Sequence, residues 1–291
     1  MKLRISHAQA VGLMVLITFL WSTAGVVARQ LEYARSFEVT FWRSFFTFVT
    51  LTALLPVLKG RDVFWKLRNA GRSFWISGVC WSVMFTAFMV ALTLTSVGNV
   101  LVTLACGPLF TALVARIFIG HRVATRTWLA IAAAGCGITY MYATQLDSLS
   151  LVGTLVALCV PVAGATNWTV TQNSHDQGHD VDLVPAVWVG GAISSVITLP
   201  LAFPLQASAH DIALLAGLGA FQLAIPCVLS VVCASVLKAP EVSLLALLEV
   251  IFGILLAWVG AGEVPTHSVL LGGTVVISAL LLNEWWGWRE R

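Results

Sequence analysis

Long runs with few or no charges constrain this chain more than any other feature. Residues 8–28, 73–93, 150–172 and 183–203 carry no Asp, Glu, Lys or Arg at all. A helix needs about 20 apolar residues to cross a hydrocarbon core about 30 Å thick. By that measure ten stretches are long enough: 8–28, 37–57, 73–93, 97–118, 127–143, 150–172, 183–203, 211–232, 239–260 and 267–285. Ten spans use roughly 200 residues, so the connections are short and no segment is left to fold as a soluble domain. A membrane β-barrel needs ten-residue segments of alternating hydrophobicity, whereas these runs are continuous. The composition agrees: 59% of residues are apolar and 10% charged, against roughly 45–50% and 25% in soluble domains. So rich a supply of Leu, Val, Ile, Phe and Trp also excludes a disordered chain. The expected fold is an all-α polytopic membrane protein with the lipid bilayer as its principal partner.

The charges that remain sort by side. With the N-terminus in the cytoplasm, Lys2, Arg4, Lys59, Arg61, Lys66, Arg68, Arg72, Arg116, Arg122, Arg126, Lys238, Arg289 and Arg291 fall inside. Arg29 and Arg35 fall outside, and Arg43 lies within a span. Such asymmetry predicts cytoplasmic N- and C-termini. A net charge of +3 with no basic domain excludes nucleic acid as a partner. The six cysteines lie within or, for Cys233, at the end of predicted spans without a Cys-x-x-Cys spacing, and they are expected to pack as small apolar residues. Val26-Val27-Ala28 could mimic a signal-peptidase site, but cleavage there would break the repeat described next.

Sliding the chain on itself by 141 residues brings Gly12 onto Gly153, Leu104-Ala105 onto Leu245-Ala246, and Gly120-His121-Arg122 onto Ala261-Gly262-Glu263. Thr125 and Leu129 then meet Thr266 and Leu270. The halves, 1–145 and 146–291, hold five spans each. Halves with an odd number of spans enter the membrane from opposite sides, so the expected architecture is ten transmembrane helices as two inverted five-helix repeats. Inverted repeats give secondary transporters their alternating access, with a substrate site near the midplane. No Gly-x-x-x-x-Gly-Lys-Ser/Thr motif is present, so any energy input comes from a gradient.

Leu20-Trp21-Ser22-Thr23 at the end of the first span, and Arg43 a few residues into the second, resemble the drug/metabolite transporter superfamily in its EamA-type branch. Pro108-Leu109-Phe110 followed by Gly120-His121-Arg122 resembles that family's run at the end of the fourth span. Its counterpart in the second half is Glu249-Val250-Ile251-Phe252 followed by Gly262-Glu263. Two positions depart from the pattern: Gly-His-Arg replaces the first Gly-Glu, and Glu249 replaces the second proline. Size, tryptophan content and the Leu-Trp-Ser-Thr element look most like the YddG-type amino-acid exporters. The resemblance implies a bacterial inner-membrane protein that exports solutes from the cytoplasm through a central cavity.

A charge at the bilayer centre costs at least ~2.5–3.5 kcal/mol on insertion scales, so intramembrane charges need a reason. Glu249 lies near the middle of the ninth span among Leu247, Leu248, Val250 and Ile251. It is read either as a carboxylate for a substrate ammonium or a proton, or as a neutral side chain bonded to a neighbouring helix. Arg43 either clamps a substrate carboxylate, or snorkels to the outer headgroups or holds a loop carbonyl. Glu38, five residues earlier, is poorly spaced to pair with it. Glu241 is expected to cap the ninth span.

Trp65, Trp75, Trp128, Trp258, Trp285, Trp286 and Trp288 fall near span ends, where indoles anchor helices at the interface. Trp21, Trp81, Trp168 and Trp188 lie deeper. Each is read as packing or as part of an aromatic cavity wall. Ser22, Thr23, Thr103, Asn167, Thr169, Thr171, Gln172 and Gln222 add deep polar groups. Such groups bond helix to helix or line a site. Pro108, Pro161 and Pro226 interrupt spans and are candidate hinges or gates, while Gly190-Gly191 and Gly272-Gly273 permit close helix contact. His175 and His179, with three nearby Asp, sit in a loop broken by Gly178, and are read as solvated rather than metal-binding. No metal or other cofactor is expected.

The sequence therefore predicts a non-enzymatic secondary transporter exporting small organic metabolites, amino acids foremost and aromatic ones among them, with a monomer as its simplest state. Glu249, Trp21, Ser22, Trp81, Thr103, Asn167, Trp168, Trp188 and Arg43 are its candidate substrate residues. A carrier for phosphorylated sugars or nucleotide sugars would want several deep Lys or Arg. A membrane-embedded enzyme would want a convergent nucleophile and base, and a channel-like subunit would transport without saturation.

Overall fold

A computed structural model describes residues 6–67, 70–119, 125–143, 148–176, 183–234, 236–237, 245–246 and 248–289. The predicted roles of Glu241 and His179 lie outside the described residues, as do the side chains of Thr171, Gln172, His175 and Trp288. The described chain is all helical.

The first span is α1 (His7–Ala28), opened by a capping box. The Ser6 hydroxyl accepts from the Gln9 N–H at 3.2 Å, and the Gln9 side chain accepts from the Ser6 N–H at 2.8 Å. This satisfies donors that a helix start otherwise leaves unpaired. α2 (Ser36–Lys59) ends at Gly60, whose φ of 94° suits a residue without a Cβ. A short α3 (Val63–Lys66) leads to α4 (Arg72–Leu94). The predicted fourth span is two helices, α5 (Val97–Leu104) and α6 (Gly107–Ile119), joined at Ala105-Cys106. Pro108 explains the break: it has no N–H to continue α5, but it is tolerated in the first turn of α6. α7 (Thr125–Ala143), α8 (Ser148–Asp176) and α9 (Val184–Ala202) follow, and α8 runs through Pro161 unbroken.

The eighth predicted span changes pitch twice. α10 (Ala209–Gly217) passes into a π-helical segment, Leu218–Ala224, and then into α11 (Ile225–Ala234) at the doorstep of Pro226. The last helices are α12 (Leu248–Ala261) and α13 (His267–Arg289).

Seven helical stretches among the described residues are long and apolar enough to cross a membrane. They are His7–Ala28, Ser36–Lys59, Arg72–Leu94, Val97–Val114, Leu151–Val170, Val184–Ala202 and Ala209–Cys233. Shorter apolar helices occupy Trp128–Gly137, Leu248–Ala261 and His267–Asn283, at the other three predicted positions.

α4 packs against α8 and α9, α2 against α9 and the π segment, α1 against α12, and α7 against α13. Gly190-Gly191 sets the α9 contacts as expected. A Cβ on Gly190 would run into the Trp81 side chain of α4, and one on Gly191 would sit 3.3 Å from the Ser44 carbonyl of α2. Trp65, Trp75, Trp128, Trp258, Trp285 and Trp286 are exposed on the outside of the bundle. Four cysteines are buried, but Cys136 and Cys159 face outward instead of packing inside. Helix periodicity turns those two positions away from the core, and an outward face of a membrane helix is itself apolar.

One end of the bundle is tied by polar contacts. The buried Asp211 carboxylate of α10 accepts from the N–H groups of Glu32, Tyr33 and Ala34 at 2.9–3.0 Å and from Ser208 at 3.3 Å. Reciprocally, Glu38 of α2 accepts from the N–H groups of Gln206 and Ala207 at 2.8–3.0 Å. Each acid in a first helical turn thus clasps the other hairpin's loop.

Candidate functional site

A cavity of about 200 Å³ opens between α1, α4, the α5–α6 break, α8, α11 and α12. Its walls are mostly apolar. Trp21, Trp81 and Trp168 supply three indoles, and the Trp81 and Trp168 rings meet edge to face with centroids 6.5 Å apart. Met14, Met84, Leu101, Leu104 and Val160 fill the spaces between them. Thr111, Ser230 and the carboxylate of Glu249 are the polar side chains at the wall. Glu249 belongs to α12, and no described residue hydrogen-bonds or ion-pairs with it. An ionised carboxylate in apolar surroundings is costly without a partner.

Six of the sequence candidates meet at the cavity: Trp21, Trp81, Trp168, Glu249, Pro108 and Pro161. The others do not. Trp188 lies on α9, which does not line the cavity; its Nε1 donates to Thr52 at 2.7 Å and its ring packs on Phe48 and Phe64. The hydroxyls of Ser22 and Thr103 donate within their own helices, to the carbonyls of Phe19 and Asn99. Asn167 accepts from Ser77 at 2.6 Å, joining α8 to α4. Pro226 follows the π segment without lining the cavity.

Arg43 does not snorkel. It is 2% exposed, and its Nε and Nη2 donate to the Gln222 carbonyl oxygen at 3.2 and 2.8 Å. Its guanidinium carbon lies 5.6 Å from the Phe88 ring centroid. The Gln222 amide in turn donates to the Trp21 carbonyl at 3.0 Å. Depth along the helix suggested a route to the headgroups, but the face of α2 that bears Arg43 is turned into the bundle. Sequence reasoning singled out both residues without joining them, because 179 residues separate them.

Sequence reasoning also missed the contact that closes the polar end. Arg29, just beyond α1, donates from Nε to Glu263 at 2.9 Å and from its two Nη atoms to the carbonyls of Leu92 and Thr95. The other Glu263 oxygen accepts from the Val97 N–H at 2.7 Å. The ends of α1, α4, α5 and α12 therefore meet there. Trp21 lies eight residues before Arg29, about 12 Å along the helix axis, so the cavity lies deeper in the bundle than this tie.

Residues 8–143, a little under half of the chain, match the EamA-like transporter family. With seven helices among the described residues long and apolar enough to cross a bilayer, this makes the protein a multi-pass membrane protein. The match suggests a transporter of small molecules rather than an enzyme. No curated protein matches the chain. A crystal structure of another protein shares the fold over 98% of this chain and 100% of that one, with a TM-score of 0.66 and 14% sequence identity.

Proposed function

We propose that the whole chain is an EamA-type secondary transporter of ten helices in two inverted five-helix repeats. It exports small organic metabolites from the cytoplasm, amino acids foremost, in the manner of YddG-type exporters. Alternating access exposes the cavity to one side of the plasma membrane at a time, with both termini in the cytoplasm. The observation that carries this reading is Glu249: a carboxylate with no hydrogen-bond partner among the described residues, in a cavity walled mostly by three indoles and aliphatic side chains. An amino acid with a large apolar side chain complements both features, its ammonium meeting Glu249 and its side chain meeting Trp21, Trp81 and Trp168. Cation and ring faces reinforce each other in such a site.

Uptake into liposomes carrying the purified protein, measured across amino acids, phosphorylated sugars and polyamines, tests this reading. Saturable uptake of amino acids is expected. Saturable uptake of none of them, beside a working control carrier, would overturn it, and preference for phosphorylated sugars would redirect it. A single cysteine in the loop between residues 59 and 72 should react only with membrane-permeant reagents in whole cells. Reaction with impermeant reagents reverses the orientation.

A further inference from the structure

The π-helical segment Leu218–Ala224 has a specific seat. A Cβ on Gly219 would come within 2.7 Å of the Arg43 carbonyl and of the Phe46 side chain, so the segment touches the α2 backbone itself. The Thr47 hydroxyl is shared between the carbonyls of Arg43, at 2.9 Å, and Gly219, at 3.1 Å. Wider π turns inside an α-helix recur at functional sites. Here the turn presents Gln222 with its carbonyl oxygen on Arg43 and its amide on the backbone of Trp21, a residue of the cavity wall. Both ends of the Gln222 side chain are fixed.

That arrangement engages only part of the guanidinium. Nη1 of Arg43 is buried and has no hydrogen-bond partner among the described residues. Buried polar groups are otherwise paired, and a guanidinium this deep with a spare nitrogen calls for an acceptor. Among the described residues, no hydrogen bond or ion pair joins Arg43 to Glu249. Arg43 thus keeps an open donor behind Trp21, and Glu249 an open acceptor at the cavity wall that Trp21 shares.

We infer that Gln222 is a positioning residue: it holds Arg43 so that Nη1 receives an anionic group of the transported solute while Glu249 receives its cationic group. The site thereby favours solutes carrying both charges over those carrying one. The inference rests on the cavity being the substrate site. Because Arg43 is 2% exposed, contact requires the wall beside Trp21 to part, and that wall is the one seated on the π turn.

The test compares matched ligands with the full-length protein: tryptophan against tryptamine, and phenylalanine against phenethylamine, which lack only the carboxylate. Thermal protection in detergent reads binding, and proteoliposome uptake separates KM from kcat. The parent protein should prefer each amino acid over its amine by tenfold or more. Gln222→Leu should lower that ratio at least tenfold, through KM rather than kcat. Gln222→Glu still accepts from Arg43 but neutralises it, and should lower the ratio as well; it decides the matter if Gln222→Leu does not fold. An unmoved ratio in the folded variants, or a parent that does not discriminate, overturns the inference while leaving the transport reading standing. Binding of none of the four ligands sinks the substrate reading and this inference with it.

Discussion

Arg29 and Glu263 join the two halves of the chain at one end of the bundle, with the guanidinium Nε 2.9 Å from the carboxylate. The pair is partly shielded, with side-chain exposures of 31% and 22%, and both partners hold additional backbone groups. Its position beyond the cavity makes it a tie that must part if the cavity is to open at that end. Charge-assisted hydrogen bonds of this kind contribute about 1.5–3 kcal/mol each. Arg29→Ala is therefore expected to lower stability by about 2 kcal/mol, measured by denaturation in detergent. Cysteines at both positions, once oxidised, should arrest transport and reduction should restore it. Full transport through the cross-linked protein would show that this end never opens.

Asp211 is the second tie. Its two oxygens gather four backbone N–H groups, three of them from the loop between α1 and α2. Truncation leaves those donors without their acceptor, and each unsatisfied buried group costs about 1–3 kcal/mol. Asp211→Ala should destabilise the protein by about 3 kcal/mol, and Asp211→Asn by less, since one acceptor oxygen remains. Proteolysis of the loop at residues 29–35 should accelerate in step. Equal stability of all three proteins would refute the clasp.

Gly190 governs the approach of α9 to α4, because any Cβ there meets Trp81. Overpacking a tight helix contact costs about 1–3 kcal/mol. Gly190→Ala should lower the unfolding midpoint and disturb the Trp81 ring that lines the cavity, visible as altered tryptophan fluorescence. Gly217, whose Cβ would meet nothing within 4 Å, serves as the control position. If both substitutions behave alike, the close approach has no energetic weight.

Glu249 tests the site itself. Glu249→Gln preserves shape and removes the charge, so the protein should insert and purify as before while transport is abolished or loses its coupling. An unchanged rate and an unchanged pH dependence would return Glu249 to a purely structural role.

Much of this protein is legible along one dimension. The helical stretches lie where the uncharged runs predict them, because a bilayer leaves a long apolar run little choice but to bond its own backbone within a helix. The depths of Trp21, Trp81, Trp168 and Glu249 within those runs were readable too, and all four line the cavity. Trp188 is as deep but turns away, toward Thr52 and Phe48. Arg43 points inward to Gln222 rather than up to the headgroups. Arg29 and Glu263, which the chain separates by 234 residues, are bonded neighbours. Hydropathy reports how far a side chain lies along a helix axis. Which way it faces around that axis, and what awaits it there, depends on how helices from the two halves pack, and that only the tertiary structure decided.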